Sequence, residues 1–431
     1  MNELKQRLRE EVVSSFDYSE EITEEDLLRR IDRVIMQAAK ENFLTLERKE
    51  KLRRELYASI RGLDILEEVL LEDSVTEIMI NGFEDIFLEE RGKIHRWERK
   101  FESRQKLEDI VQLIVAKANR IVNEANPIVD ARLEDGSRVN VILPPVALNG
   151  PIVTIRKFSK EPFTMEKLIE LGAITKDAAE FLRLLVEAKY NIFICGGTGS
   201  GKTTFLNALT AFIPKQERII TIEDAAELKV NGIENLVRLE VRNKNTEGTG
   251  EISIRELIRS SLRMRPDRII VGEVRGAETI DMLQAMNTGH DGSLSTGHGN
   301  STSDMLDRLE TMVLLGSDIP LMAARRQIAS AIDVMVQLGR LRDGRRCVLE
   351  ISEILGCRDG EIEKNPLFVY QEGEEEATGV LKRTGAVFVQ QMKLRRAGKK
   401  EWKTDGEPDE TKTAVPGDSD GQDPADGVVV L

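Results

Sequence analysis

The sequence predicts an α/β protein in which a doubly wound parallel sheet follows a smaller α/β domain and a helical lead-in. Three observations favour this fold class. Charged amphipathic patterns fill residues 1–60, short strands surround one apolar helix over 61–157, and buried apolar runs alternate with helical patterns over 168–370. Such alternation is typical of a parallel sheet with helices on both faces.

The helical lead-in is predicted from one start signal and one stripe. Thr23 with Asp26 three positions later resembles a capping box. The apolar positions that follow lie at helical spacing: Leu27, Ile31, Ile35 and Ala38.

The second segment, 61–157, is predicted to be a separate mixed α/β module. Short strands are expected at 77–82 and 85–89. A helix should follow with these apolar positions on one face: Leu107, Ile110, Val111, Ile114, Ala118 and Ile121.

The remaining boundaries follow from composition. Residues 158–167 are polar, contain Pro162 and lack periodicity, so we expect a linker there. Buried strands of the main sheet are expected at 191–195, 218–222 and 268–271. Residues 371–431 are charged with few large apolar side chains, which predicts a disordered tail.

Composition and charge exclude several classes of protein. The 431 residues include 62 Lys and Arg against 76 Asp and Glu, a net charge of −14 that disfavours a duplex-coating protein. The three cysteines form no CxxC pair, so neither a disulfide framework nor a four-cysteine zinc site can be built. With no secretory signal at the N-terminus and no unbroken apolar span, we expect a cytoplasmic protein.

The strongest chemical signal is a phosphate-binding loop between a buried strand and a helix. The segment Gly196-Gly-Thr-Gly-Ser-Gly-Lys-Thr203 fits GxxxxGK[ST]. Its backbone N–H groups and the helix N-terminus favour phosphate, Lys202 should reach the β and γ phosphates, and Thr203 can ligate magnesium. The expected nucleotide contacts are Gly196, Gly197, Thr198, Gly199, Ser200, Gly201, Lys202, Thr203 and Thr204, with ATP and Mg²⁺ as cofactors.

Acidic residues follow the next two buried strands. Glu223 and Asp224 come after the strand ending at Ile222, where the carboxyl ends of parallel strands face the ligand crevice. With Thr203 they are the predicted magnesium ligands, and Glu223 is also a catalytic candidate. The alternative is that these acids open a helix, whose first turn favours negative charge.

Glu273 is the predicted residue that polarises the attacking water. It follows the strand 268–271 in the pattern of a Walker B strand, with one departure. Gly272 occupies the position where an aspartate often holds magnesium. The alternative is an acid with a purely structural role.

Two of the three histidines lie in a run of small residues over 288–299. We expect His290 and His298 to hydrogen-bond the γ-phosphate, because a core histidine would be surrounded by bulkier side chains. A metal pair is less favoured, since no third ligand with zinc spacing is near.

Two groups of arginines have open interpretations. Arg255, Arg259 and Arg263 lie four residues apart on one predicted helix, so an anionic neighbour or a solvated face must offset their repulsion. On composition alone, the arginines of the upstream module are ordinary surface residues: Arg132, Arg138 and Arg156.

Taken together, four motifs in order resemble the type II/type IV secretion ATPase superfamily. They are the phosphate loop, the acidic segment 222–228, the strand segment 265–275 and the histidine segment 288–299, which match its Walker A, Asp box, Walker B and His box. Segments 126–132, 135–138 and 154–157 further resemble the CpaF-like ATPases of tight-adherence (Flp-type) pilus assembly. The resemblance covers about 60–370.

The resemblance implies a RecA-like ATPase core in a homohexameric ring, with the nucleotide between the core and the N-terminal domain. It also implies that Arg132, Arg138 and Arg156 approach the phosphates from the same or an adjacent subunit and act in catalysis. As a γ-phosphate contact, His298 is also expected to be catalytic. The expected partners are an inner-membrane platform protein and, indirectly, pilin. The tetracysteine zinc element and the retraction motor's C-terminal signature are absent from the sequence, which favours assembly or export.

Three other functions share part of this pattern. An ATPase of a conjugative or effector type IV secretion system shares all four motifs. A nucleic-acid motor shares the core, but the negative charge and the lack of an aromatic-rich basic groove disfavour it, so no nucleic-acid partner is expected. A nucleotide-binding regulator without turnover would not need both Glu223 and Glu273 with the histidines.

Overall fold

The structure is a computed structural model that describes residues 2–16, 23–41, 43–90, 92–157, 163–242, 249–373 and 379–403. The chain divides into two compact units between residues 162 and 163. This division lies inside the predicted linker 158–167. Helix formation starts within that segment, at Met165, because Thr164 accepts a hydrogen bond from the Lys167 N–H as an N-cap. Residues 158–162 lie outside the described part of the chain.

The first unit opens with three helices that share a small apolar core. They are α1 (Asn2–Ser14), α2 (Glu24–Glu41) and α3 (Leu46–Arg61). The predicted cap at Thr23 is present, since its Oγ1 accepts from the Asp26 N–H at 3.2 Å. The stripe that follows it is buried, with Leu27 and Ile31 fully inaccessible.

The rest of the first unit is an antiparallel sheet with helices packed on it. In chain order the elements are α4 (Leu66–Leu71), β1 (Val75–Asn81), β2 (Ile86–Glu90), β3 (Lys93–Arg96), α5 (Arg104–Lys117), β4 (Ile128–Arg132), β5 (Arg138–Ile142) and β6 (Ile152–Arg156). The six strands have the order β3-β2-β1-β6-β5-β4. Helix α5 ends before Ala118 and Ile121 of the predicted stripe, because Asn119 turns the chain with φ 53°.

The second unit contains the larger sheet. Its elements up to the sheet centre are α6 (Met165–Glu170), α7 (Lys176–Glu187), β7 (Ile192–Gly196), α8 (Lys202–Thr210), β8 (Ile219–Glu223), β9 (Leu236–Glu240), α9 (Ile254–Ser261) and β10 (Arg268–Val271). The remaining elements are α10 (Thr279–Asn287), β11 (Leu294–His298), α11 (Thr302–Gly316), α12 (Leu321–Ala331), β12 (Val334–Arg340), β13 (Arg346–Arg358), β14 (Glu361–Gln371), β15 (Val380–Arg383) and α13 (Met392–Arg396).

The nine strands of the second unit form one mixed sheet in the order β15-β14-β13-β12-β7-β11-β10-β8-β9. Strands β12 to β9 in this order are parallel, as predicted for a doubly wound sheet. Strands β13, β14 and β15 extend it by antiparallel pairing. Apolar residues of α7 and α8 cover one face, and those of α10, α11 and α12 cover the other.

The predicted disordered tail needs correction, because residues 379–403 are folded. Strand β15 pairs with β14, and the segment beyond it buries Phe388 and Leu394 in the core of the second unit. Phe388 packs edge-on against Phe181 of α7 at a centroid distance of 5.3 Å. Apolar side chains are sparse in this segment, and several of them are exposed, but Phe388 and Leu394 are buried in that core. Residues 404–431 lie outside the described part of the chain.

No helix within the described ranges is long and apolar enough to cross a membrane.

Candidate nucleotide site

The phosphate loop leaves the centre of the sheet, between β7 and α8. All of β7 is buried between β11 and β12. Gly196 must be glycine, since a Cβ there would lie 2.5 Å from Ser200 Oγ and 2.6 Å from the Leu338 carbonyl oxygen. Gly199 and Gly201 have φ values of 71° and 93°, which turn the loop into the start of α8. The loop therefore presents the N-terminus of a nine-residue helix at the carboxyl ends of the strands.

Lys202 folds back over the loop. Its Nζ donates to the carbonyl oxygens of Gly196 and Gly197, both at 3.1 Å. The same Nζ lies 3.2 Å from His298 Nδ1. The residue is only 7% exposed, so its ammonium is held inside the loop where a phosphate would bind.

His298 joins the phosphate loop to the strand β10. Its Nε2 lies 2.9 Å from Glu273 Oε1. Burial lowers the pKa of His298, and the positive charges of Lys202 and Arg275 lower it further against the opposing effect of Glu273. The imidazole is therefore neutral near pH 7. Because the Lys202 ammonium can only donate, Nδ1 is the acceptor and Nε2 carries the proton.

Arg275 extends this polar row to Asp224. Its Nε lies 3.1 Å from Glu273 Oε1, and its Nη1 lies 3.6 Å from Asp224 Oδ2. The side chain of Glu273 is 20% exposed, so water can reach it while two neighbouring groups, His298 and Arg275, restrict its orientation. Sequence reasoning did not assign Arg275 a role, although its position two residues after the predicted base pointed to one.

Glu223 is buried at the end of β8. One carboxylate oxygen, Oε2, accepts from the backbone N–H groups of Glu227 and Leu228 at 2.7 and 2.8 Å. Its Oε1 is buried without a hydrogen-bond partner in the described part of the chain. Burial raises the pKa of Glu223, although the two N–H donors oppose the shift. The chain after β8 is irregular over 224–230, so the alternative of a helix opened by these acids is wrong.

Gly272 has a packing reason to lack a side chain. A Cβ at this position would lie 3.1 Å from Glu223 Cγ, tighter than an ordinary van der Waals contact. Gly272 also donates its N–H to the Ile222 carbonyl oxygen at 2.8 Å, which aligns the ends of β10 and β8. The side chain of Glu223, at the end of β8, therefore lies against the position where an aspartate side chain would begin after β10.

A magnesium ion fits this arrangement. Mg²⁺ keeps several waters and takes few protein ligands, and Glu223 offers one immobilised carboxylate whose Oε1 lacks a hydrogen-bond partner within the described ranges. Asp224 is half-exposed and Thr203 is the second residue of α8, so both can contribute an oxygen. The same ranges contain no cluster of three or more His, Cys, Asp or Glu side chains able to hold a metal on their own.

His290 is not brought to this cluster, which corrects its assignment as a phosphate contact within the chain. It precedes β11, at the amino ends of the strands, and its Nδ1 lies 3.2 Å from the Ala285 carbonyl oxygen. Strand β11 separates it from His298, and a strand of five residues spans roughly 15 Å. The small residues that flank the two rings therefore belong to two separate places in the fold, one before β11 and one at its end.

The three upstream arginines lie side by side in the first unit. Arg138 of β5 is paired in register with Arg132 of β4 and with Arg156 of β6. Directly opposed residues of antiparallel strands share a face, so the three side chains form one basic row. The next residue across the sheet is acidic, because Arg156 is paired with Glu77 of β1.

Arg255 and Arg259 find their anionic neighbour inside the protein. Both Nε atoms approach the buried carboxylate of Asp281 on α10, at 2.6 and 2.8 Å. The interpretation with an anionic neighbour therefore holds for these two arginines. Their ion pairs with Asp281 connect α9 to α10.

Gln337 supports the site and was missed in the sequence. Its Oε1 accepts from the Cys195 thiol at 2.7 Å, and its Nε2 donates to the carbonyl oxygen of Asn300 at 3.2 Å. It thereby connects β12, the strand before the phosphate loop and the turn that follows His298. A single amide in the otherwise apolar run 334–338 was the available signal.

The chain is similar to known secretion and conjugal transfer proteins. A family model described as "Type II/IV secretion system protein" matches residues 60–395. A putative conjugal transfer protein of Mycobacterium tuberculosis is 35% identical over 316 residues, covering 72% of this chain and 89% of that protein. The type IV secretion system protein PtlH of Bordetella pertussis is 33% identical, covering 67% of this chain and 93% of its own length.

A solved structure shows the same fold. The crystal structure of the pilus retraction motor PilT with bound ADP is 22% identical, with a TM-score of 0.50, and the match covers 67% of this chain and 82% of that one. The second unit therefore has the RecA-like fold, and the first unit is the N-terminal domain that precedes it in the chain. The phosphate loop, the acids and the histidine lie at one edge of the sheet, and the family model matches most of the chain. The chain therefore belongs to the type II/IV secretion system protein family.

Proposed function

We propose that this chain is a magnesium-dependent ATPase that works as a cytoplasmic motor for a pilus or secretion machine at the membrane. The observation that carries the proposal is the connected row of Lys202, His298 and Glu273 on the phosphate loop and the two neighbouring strands. A loop that only bound nucleotide would not need a half-buried carboxylate oriented by a neutral histidine.

The residues divide the chemistry between them. Lys202 leaves the carbonyl oxygens of Gly196 and Gly197 and contacts the β and γ phosphates. Glu273 accepts a proton from the attacking water, and the imidazole of His298 lies beside its carboxylate, with Nε2 2.9 Å from Oε1. A bound magnesium ion would offset negative charge on the phosphates, with Thr203, Glu223 and Asp224 as its protein ligands.

The first unit supplies arginines in this proposal. Arg132, Arg138 and Arg156 form a row that suits an anion, and we propose that they stabilise charge on the phosphates from the same or an adjacent subunit of a homohexamer. Domain closure would then control hydrolysis and pass movement to a membrane platform protein.

Steady-state ATP hydrolysis against protein concentration tests the motor proposal, with mass photometry of the same samples. We expect turnover per subunit to rise as a hexamer forms, and to fall to background when magnesium is chelated. Lys202→Ala should abolish nucleotide binding and turnover. Full turnover by a monomer would remove the inter-subunit role of the arginines and with it the ring motor.

The ATPase could serve either of two kinds of membrane machine. The tight-adherence pilus is supported by the segments 126–132, 135–138 and 154–157, and it implies a platform protein and pilin as partners. A conjugative or effector secretion system is supported by the names of the relatives from Mycobacterium tuberculosis and Bordetella pertussis.

A deletion strain complemented with wild type or Glu273→Gln separates the two machines. Loss of surface pili with normal DNA and effector transfer supports pilus assembly, and the reverse result supports secretion. Stimulation of hydrolysis by single-stranded DNA would instead favour a nucleic-acid motor, which the net charge of −14 disfavours.

A further inference from the structure

The β12–β13 hairpin stands beside the phosphate loop. Strand β7 ends at Gly196, which is paired with Leu338 of β12. Strand β12 continues for two more residues to Arg340, which is paired with Arg346 as the chain returns in β13. The hairpin therefore projects beyond the carboxyl end of β7, to the side on which the loop binds phosphate.

Arg346 is the hairpin residue that lies beside Gly201 of the loop. Its side chain is exposed, and its Cδ lies 3.8 Å from the position that a Cβ on Gly201 would take. The turn is strongly basic, with four arginines and one aspartate over 340–346. That aspartate, Asp343, pairs with Arg345 at 2.6 Å, and no ion pair of Arg346 occurs in the described part of the chain.

The direction of a bound nucleotide follows from the sheet order. The groups that act on the γ-phosphate, His298 and Glu273, come from β11 and just after β10, on one side of β7. Strands β12 and β13 lie on the opposite side of β7. A triphosphate whose γ end faces Glu273 therefore runs across the loop with its α-phosphate toward the hairpin.

We propose that Arg346 binds the α-phosphate of the nucleotide, an inference that rests on the proposed ATPase site. Its guanidinium would supply charge-assisted hydrogen bonds at the end of the triphosphate that Lys202 does not reach. The α-phosphate keeps its bonds during hydrolysis of the terminal phosphate. The interaction is equal in the ground and transition states, so it should affect KM and leave kcat unchanged.

Isothermal titration calorimetry with ADP and with inorganic tripolyphosphate tests the assignment on the full chain. Arg346→Ala should weaken both ligands about tenfold, the size expected for one charge-assisted hydrogen bond. Arg346→Lys keeps the charge and should recover part of the loss. Arg342→Ala, on the same exposed turn, is the matched control and should bind both ligands like wild type.

Each other outcome overturns the assignment in a recognisable way. A loss confined to ADP means that Arg346 contacts the nucleoside, and an equal loss in Arg342→Ala means that the hairpin acts only through its diffuse charge. A fall in kcat at constant KM would make Arg346 part of the chemical step. If Lys202→Ala binds ADP as well as wild type does, the proposed site itself has failed, whatever Arg346 shows.

Discussion

The two edges of the parallel sheet in the second unit both carry buried polar groups but differ in how these groups are paired. At the amino edge, the buried guanidinium of Arg268 donates to Glu217 and to the carbonyl oxygens of Val186 and Gly292. At the carboxyl edge, Ser200 Oγ and Glu223 Oε1 are buried with no hydrogen-bond partner in the described ranges. A saturated edge stabilises the fold, whereas an unsaturated one has capacity left for a ligand.

The amino edge also anchors the folded tail segment. Lys393 of α13 lies 2.7 Å from Asp333 and 2.8 Å from Asp291. Asp333 in turn accepts the N–H of Asn191, the residue before β7, at 2.7 Å. Paired charge at this edge therefore fixes the start of the same strand whose other end forms the phosphate loop.

The largest effect is expected from Glu273→Gln at the carboxyl edge. We expect turnover to fall by about 10²- to 10⁴-fold, because an amide cannot accept the proton of the attacking water. ADP affinity should stay within about twofold and the urea midpoint should not fall. Glu278→Gln, in the same loop, keeps its backbone acceptor role and serves as the control. Normal hydrolysis by Glu273→Gln would remove the general-base assignment.

At the amino edge, Glu217→Ala should instead act on stability. It leaves the fully buried Arg268 without its carboxylate, which typically costs about 3–5 kcal/mol of unfolding free energy. Urea unfolding followed by circular dichroism measures the loss. Glu170→Ala removes a largely exposed partner of Lys167 and should change stability by less than about 0.5 kcal/mol. Equal losses in both variants would show that burial of the pair has no consequence.

Lys393→Ala should give a smaller, pH-dependent loss of about 2 kcal/mol at pH 7.5, since the pair is only partly shielded from water. Burial raises the pKa of Asp333, while the ammonium of Lys393 opposes this shift. A carboxyl with a raised pKa in the folded state binds more protons folded than unfolded, so stability falls as pH rises. Removing Lys393 raises that pKa further, so the loss should be smaller at pH 5 than at pH 7.5. A loss independent of pH would mean that α13 is held by packing alone.

The smallest effect is expected from Gly272→Ala, at about 1 kcal/mol and a few-fold lower turnover. The added methyl group must displace the Glu223 side chain, whose Cγ it would approach to 3.1 Å. In Gly276→Ala the methyl meets only the end of the Glu278 side chain at 3.4 Å, so this variant is the control. Identical turnover in Gly272→Ala and wild type would show that Glu223 can move without consequence.

Sequence reasoning worked best where a local pattern also determines the chemistry. The strand before Gly196 and the strand 268–271 were found from apolar runs, and both lie within a residue of the observed strands. The position of Glu273 followed, because a residue just after a parallel strand must lie at its carboxyl edge.

The sequence predictions failed where the structure depends on contacts between residues far apart in sequence. Composition around 379–403 predicts disorder, but three apolar side chains of this segment fit between α7 and the sheet: Phe388, Leu394 and Trp402. His290 and His298 share a flanking pattern, yet one lies before β11 and the other at its end. The acid that balances Arg255 and Arg259 is on α10, which no spacing rule could identify.

The contact between Gly272 and Glu223 makes these two positions epistatic. A carboxylate at position 272 would need the Glu223 side chain to shift, since even a Cβ at 272 crowds Glu223. Restoring the aspartate of the usual Walker B pattern would therefore be harmful in this background and tolerated only after Glu223 is shortened. Substitutions here should be judged as pairs, because the effect of one depends on the other.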